Sequence, residues 1–316
     1  MKGSRTLLVT LAAVGAAAWV GTALVGPPGA GAPAVRRAHA LGAAPGLAAQ
    51  DSARAAKAAA PRKIARFEKD GVIAHGVVEG DRIFRIAGDL FGTWEKTPQS
   101  FPLKEVKLLV PIQPSKVLAV GLNYRSHLGD RPPPKVPEIF YKPPSALLDP
   151  GKNIVIPPGT EDVHFEAELV IVIGKRAKDV PKENAQEYIL GVTCGNDVSA
   201  RDWQKGDLQW WRAKGSDTFA PCGPFIVSGI RYDDLAIELR LNGEVKQKER
   251  TSDLLHNTST IVSWISRHVT LEPGDLIYTG TPGTTSAMKP GDVVEVDIEG
   301  IGVLRNGVEK SGSAGK

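Results

Sequence analysis

From position 63 onward, hydrophobic residues fall in short runs separated by turn signals: Lys69-Asp70-Gly71, Glu79-Gly80-Asp81, Asn242-Gly243, Glu299-Gly300 and Asn306-Gly307. Runs of this length, bounded by Gly, Asn and Asp, read as strands. They predict strands over 117–120, 154–156, 166–173, 237–241, 276–279, 293–298 and 301–304. Asn242-Gly243, between 237–241 and 244–248, is the residue pair that two-residue hairpins favour. Helices are expected over 181–189 and 258–269, the second with Ile261, Trp264, Ile265 and His268 on one face. The pattern is that of a β-rich α+β protein. A small section over 62–110 precedes a larger one over 111–310, and 311–316 is expected to be a disordered tail.

The first sixty residues have another character. Lys2 and Arg5 precede an uncharged stretch, 7–25, rich in Ala, Val and Gly. A basic start followed by an apolar core is the pattern of a secretory signal, and this core is long enough to suggest an uncleaved membrane anchor as the second reading. Ala32-Pro33-Ala34 and Ala38-His39-Ala40 offer small-x-small cleavage sites, and 26–61 reads as an Ala/Gly/Pro-rich tether. Segment 1–61 therefore predicts an exported protein, periplasmic or secreted, or one anchored by its N-terminus, rather than a cytoplasmic one.

Charge excludes one class of partner. The chain has 39 Lys+Arg and 35 Asp+Glu, but its first fifty residues hold four basic residues and no acid, leaving 35 of each in the remainder. A balanced body has no basic face for nucleic acid. Two cysteines, Cys194 and Cys222, exclude a disulfide scaffold and a cysteine zinc cluster and read as small buried residues. Neither a dinucleotide or phosphate loop nor a GxSxG nucleophile turn is present.

The candidate chemistry lies in carboxylates. Glu166 and Glu168 open the apolar run 169–173. In a strand they share a face, roughly 6.5–7 Å apart along the chain. Two carboxylates beside an apolar core are costly unless a cation lies between them, and oxygen ligands select a hard ion: Mg²⁺, Mn²⁺ or Ca²⁺. Asp197, at the end of the apolar run 188–194, is the third candidate. Taken alone, the pair fits the exposed side of an edge strand better, since such pairs are common on surfaces.

Ordered motifs add to this reading. Gly121-Leu122-Asn123-Tyr124-Arg125-Ser126-His127, the Glu166/Glu168 pair, the run 196–204 (NDVSARDWQ), the run 214–224 (KGSDTFAPCGP) and Thr279-Gly280-Thr281-Pro282-Gly283 follow one another over about 63–310. In these the chain resembles the fumarylacetoacetate hydrolase family; the leader has no counterpart in most members. The resemblance implies a mixed β-sandwich or roll with a small N-terminal subdomain, and a homodimer. It implies Glu166, Glu168 and Asp197 as ligands of Mg²⁺ or Mn²⁺, with Lys214 beside the metal holding a substrate oxygen. Thr218 would brace the metal site, while Arg201, Gln204 and Thr281 would line the substrate pocket. Tyr124 would face the pocket or pack in the core. His127 matches the general base of hydrolytic members, and Asp130 stands where such members carry the orienting glutamate, one methylene shorter. The substrate implied is a small anionic 2-oxo acid. The first reaction implied is metal-dependent carbon–carbon hydrolysis of an acylpyruvate or fumarylpyruvate through an enolate. An isomerase or decarboxylase using the same enolate is the second, and a silent binding protein for small dicarboxylates the third.

Overall fold

The computed structural model describes residues 61–312. Two sheets organise them. The larger has the spatial order Trp94–Pro102, Arg82–Gly88, Val72–Glu79, Arg62–Lys69, Ala220–Ser228, Ile189–Asn196, Ala167–Ile173, Leu276–Tyr278, Val117–Gly121 and Glu138–Lys142, with two short strands paired off this path. The smaller has the order Glu244–Arg250, Ala236–Leu241, Val293–Ile298, Gly302–Lys310 and Asn153–Ile156. The N-terminal strands form an antiparallel meander whose first strand pairs with Ala220–Ser228, so the small section continues the main sheet.

The strand Ala167–Ile173 lies at the centre, buried on both faces. Its odd-numbered residues share one face, of which Ala167 and Leu169 pack against Ile237, Leu239, Val294 and Val296 of the smaller sheet. Further along that face, Ile171 and Ile173 are covered by Ile261, Val262 and Ile265 of the helix Thr258–His268. Val170 and Val172, on the other face, join Ala220, Cys222, Leu276 and Tyr278 in a second core. A continuous apolar run is what a strand covered on both sides requires. Both cysteines are buried.

The hairpins follow their turn residues. Asp70 and Gly71 take φ of 50° and 79°, and Asn242 and Gly243 take 54° and 82°, the double positive φ that matches strand twist. Two local expectations are corrected. Segment 181–189 contains a 3₁₀ helix, Lys182–Tyr188, in which only Ala185 is buried; without an apolar stripe to pack, an α-helix gains nothing there. Asn306-Gly307 is inside the strand Gly302–Lys310 rather than a turn. The Asn306 amide donates inward to the carbonyls of Asp149 and Lys152, and Gly307 leaves space for the Asn153 carboxamide. In the helix Thr258–His268 the buried stripe runs through Ile261, Val262 and Ile265, while Trp264 and His268 meet edge to face at its margin.

The expected leader, 1–61, lies outside the described residues except for Pro61, as do 313–316 of the expected tail. No helix among the described residues is long and apolar enough to cross a membrane. The expectation of an exported or anchored protein, drawn from the basic start, the apolar stretch 7–25, the small-x-small sites and the tether, is corrected accordingly: no described element supports it.

Candidate active site

Strand register assembles the carboxylates. Glu168 pairs with Gly195 across the ladder to Ile189–Asn196, where a side chain at Gly195 would strike Val170 and Tyr278. Glu166 precedes the ladder, which begins at Ala167. Its backbone N–H donates to Asn196 Oδ1 (2.8 Å), and its carbonyl accepts from Asp197 N (2.9 Å). One oxygen from each of Glu166, Glu168 and Asp197 lies within 4.8 Å of the others, and all three residues are buried. An exposed edge strand is thereby excluded for the Glu pair.

Three cations surround two of these acids. Lys214 Nζ donates to Glu166 Oε2 and Asp197 Oδ2, both at 2.6 Å. Lys142, fully buried, donates to Asp197 Oδ1 and to the Lys214 carbonyl. Arg201 Nη2 pairs with Glu166 Oε1. Burial works against ionising Glu166, but Lys214, Arg201 and His127 outweigh it and hold its carboxyl well below the usual range. Burial likewise disfavours the Lys214 ammonium, yet Asp197 and Glu166 keep its pKa above the ordinary value. Glu168 differs: burial, then Asp197 and Glu166, raise its pKa well above that of a free carboxyl, against the Lys214 charge and a single backbone donor, Gly280 N at 2.7 Å. A buried carboxyl without its own cation, facing two more carboxylates, is a donor set that fits a hard divalent ion.

A cavity of about 430 Å³ opens over this cluster, and His127, Arg201, Gln204, Lys214 and Thr281 all line it. The strand Val117–Gly121 ends at its rim. Leu122, at φ 58°, turns the chain into the short helix Arg125–Leu128, which carries His127. The Asn123 carboxamide ties that turn to Thr279 and His256, and Gly280 (φ 105°) is required where a Cβ would lie 2.7 Å from that of Asn123. His127 Nδ1 lies 2.7 Å from the Gly283 carbonyl, which can only accept, so Nδ1 carries the proton. In the neutral ring Nε2 is then the free base, 3.9 Å from Glu166 Oε1.

Other expectations fare unequally. Arg201 and Gln204 are brought together, Nη1 donating to Oε1 at 2.7 Å. Asp130 is exposed, and among the described residues no hydrogen bond joins it to His127. Tyr124 is fully buried outside the cavity lining; its hydroxyl has no partner among the described residues, and burial, with Glu168 nearby, pushes its pKa up. Thr218 (φ 71°) accepts from Val155 N (2.9 Å), bracing the smaller sheet rather than the carboxylates. Sequence reasoning missed Lys142 and Gln247. The signal for Lys142 was a charge between an aromatic strand and Pro143-Pro144. Gln247 looks like any polar residue of an alternating strand. It is buried, accepts from Ala167 N (3.0 Å), and donates to Thr281 Oγ1 (2.9 Å) and to the Pro282 carbonyl.

Residues 116–309 match the family model for the fumarylacetoacetate (FAA) hydrolase C-terminal domain. The chain belongs to that family. Residues 62–111 match the Rv2993c-like N-terminal model. The 2-hydroxyhepta-2,4-diene-1,7-dioate isomerase structure from Mycobacterium marinum is 45% identical, with a TM-score of 0.75 over 79% of this chain and 99% of that one. Bovine oxaloacetate tautomerase FAHD2A, mitochondrial, is 42% identical over 222 residues, 66% of this chain and 71% of that protein. Maleylpyruvate hydrolase from Sphingobium sp. SYK-6, solved with manganese(II) and pyruvate, is 28% identical, with a TM-score of 0.66 over 78% of this chain and 99% of that one. Relatives thus include an isomerase, a tautomerase and a hydrolase on one fold.

Proposed function

We propose that the protein moves a proton on a small anionic 2-oxo acid or its enol, as a tautomerase or double-bond isomerase. The observation that carries this is His127: its Nδ1–H is donated to a backbone carbonyl, leaving Nε2 as a single base over the carboxylate cluster without a carboxylate behind it. Enolisation needs one positioned base and a place for negative charge. Carbon–carbon hydrolysis also needs an activated water, for which the expected helper, Asp130, is exposed and makes no hydrogen bond to the ring among the described residues.

Glu166, Glu168 and Asp197 would hold Mg²⁺ or Mn²⁺, which, when bound, supplies Lewis acidity toward the oxygens of a 2-oxo acid. Arg201 and Gln204 orient the substrate carboxylate at the cavity wall. His127 Nε2 takes a proton from the carbon beside the 2-oxo group, and the enolate charge that develops faces the Lys214 ammonium. Returning the proton to the enolate oxygen gives the enol, and returning it to the far carbon of a dienolate shifts the double bond. The two reactions differ only in where the proton goes back.

The test uses the full chain with Mg²⁺ and an EDTA control, following enolic oxaloacetate and a 2-hydroxydienedioate by ultraviolet absorbance and proton NMR. Metal-dependent loss of the enol or migration of the double bond, with the carbon skeleton intact, is expected. Release of acetate and pyruvate from acetylpyruvate, without tautomerisation, would replace this reading with hydrolysis; pyruvate from oxaloacetate would replace it with decarboxylation.

A further inference from the structure

One wall of the cavity is aromatic. Phe140 and Trp210 meet edge to face, with centroids 5.5 Å apart and planes at 74°. Lys214 Nζ lies 5.3 Å from the Phe140 centroid, so the apolar wall begins beside the ammonium that faces the carboxylates. The polar side chains Arg201, Gln204 and Lys205 also line the cavity, which therefore offers both a charged and an aromatic surface. The same two rings form part of a second groove of about 480 Å³, whose other lining includes Tyr141, Leu208 and Trp211. Leu208 is fully exposed and Trp211 is 72% exposed. Phe140 and Trp210 are thus a shared boundary: charged machinery on one side, open apolar surface on the other.

Gly121 sets the width beside this boundary. A Cβ there would lie 3.8 Å from Trp210 Cζ3 and 4.0 Å from Phe140 Cε1, ordinary contact distances, and its backbone is not left-handed. Absence of a side chain at this position leaves space against the rings that a methyl or isopropyl group would occupy.

We infer that Phe140, Trp210 and the space at Gly121 form an apolar subsite for the tail of the substrate, selecting 2-oxo acids that carry an aryl group. The inference rests on the reading of the cavity as a 2-oxo acid site. The head of the ligand lies among the charged groups, and its tail stacks on the ring pair and extends toward the second groove. A flat ring placed against aromatic neighbours gains both burial and ring–ring contact, worth about tenfold in affinity.

The experiment is calorimetric titration of the Mg²⁺-loaded full chain with oxamate, a non-reacting 2-oxo acid analogue, and with N-phenyloxamate, which adds an aryl tail. N-phenyloxamate should bind about tenfold or more tightly. Trp210→Ala should collapse that ratio to within about threefold by removing the ring, and Gly121→Val should do so by filling the space, whichever way the affinity for oxamate itself moves. Two variants that act by opposite steric means guard against a folding defect in either. Equal affinity of the wild type for both ligands, or a ratio that survives both substitutions, overturns the subsite and leaves the 2-oxo acid reading standing. Failure of both ligands to bind overturns that reading and the subsite with it.

Discussion

Replacing Glu168 with Gln tests the electrostatics of the centre directly. The Glu168 carboxyl is buried, faces two other carboxylates and has one backbone donor, Gly280 N; Lys214 donates to Glu166 and Asp197 instead. Burial and the neighbouring Asp197 and Glu166 raise its pKa in the folded chain well above the unfolded value of 4.5. The folded state therefore holds this proton more tightly than the unfolded state does. The contribution of Glu168 to metal-free stability is full below that unfolded value and is lost as pH rises through the folded pKa. Between pH 4.5 and pH 7 the loss is capped by the interval itself, about 2.5 units at ~1.4 kcal/mol each, so about 3 kcal/mol. Glutamine keeps the size and the acceptor for Gly280 N but has no proton to lose. Metal-free Glu168→Gln should consequently be more stable than wild type at pH 7 by up to about 3 kcal/mol, roughly 5–10 °C in Tm, and the gap should close toward pH 4.5. Saturating Mg²⁺ or Mn²⁺ should raise the wild-type Tm and move the variant much less. The assay is a set of thermal melts in EDTA and in metal at pH 5 and pH 7. A variant that melts at or below wild type in EDTA at pH 7, or a gap that ignores pH, would refute the reasoning.

Three further outcomes separate the roles of individual side chains. His127→Ala should lower turnover of the enol by about 10²–10⁴ while leaving Mg²⁺ binding, read by calorimetry, close to wild type. Asp130→Asn should stay within about twofold of wild-type turnover, because the ring is held by Gly283 instead; a loss like that of His127→Ala would restore the hydrolytic dyad. Gln247→Leu strands Ala167 N and the Pro282 carbonyl in the interior, and should lower the unfolding free energy by about 2–4 kcal/mol, read as a lower urea midpoint at unchanged slope.

Periodicity and residue type were enough to make much of this molecule legible. Continuous apolar runs of strand length mark strands covered on both faces, as at Ala167–Ile173, because alternate side chains then enter two cores. Asp70-Gly71 and Asn242-Gly243 mark hairpins, because few residues accept positive φ twice in succession. The Glu166/Glu168 pair ahead of a core strand marked a candidate cation site only together with the ordered motifs around it, because buried carboxylates need compensation and exposed ones do not. One local overstatement was a turn: Asn306-Gly307 has turn chemistry, but long-range hydrogen bonds from Asn306 make it strand. Tertiary structure decided the rest, through contacts between residues far apart in the chain. Lys142 reaches Asp197 from an edge strand of the main sheet, Gln247 reaches Thr281 from the other sheet, and His127 turns to Gly283 rather than to its neighbour Asp130. Sequence determines which groups can ionise, ligate or turn; only the folded packing decides which of them are dehydrated together, and shared dehydration is what leaves Glu166, Glu168 and Asp197 in need of a counter-charge.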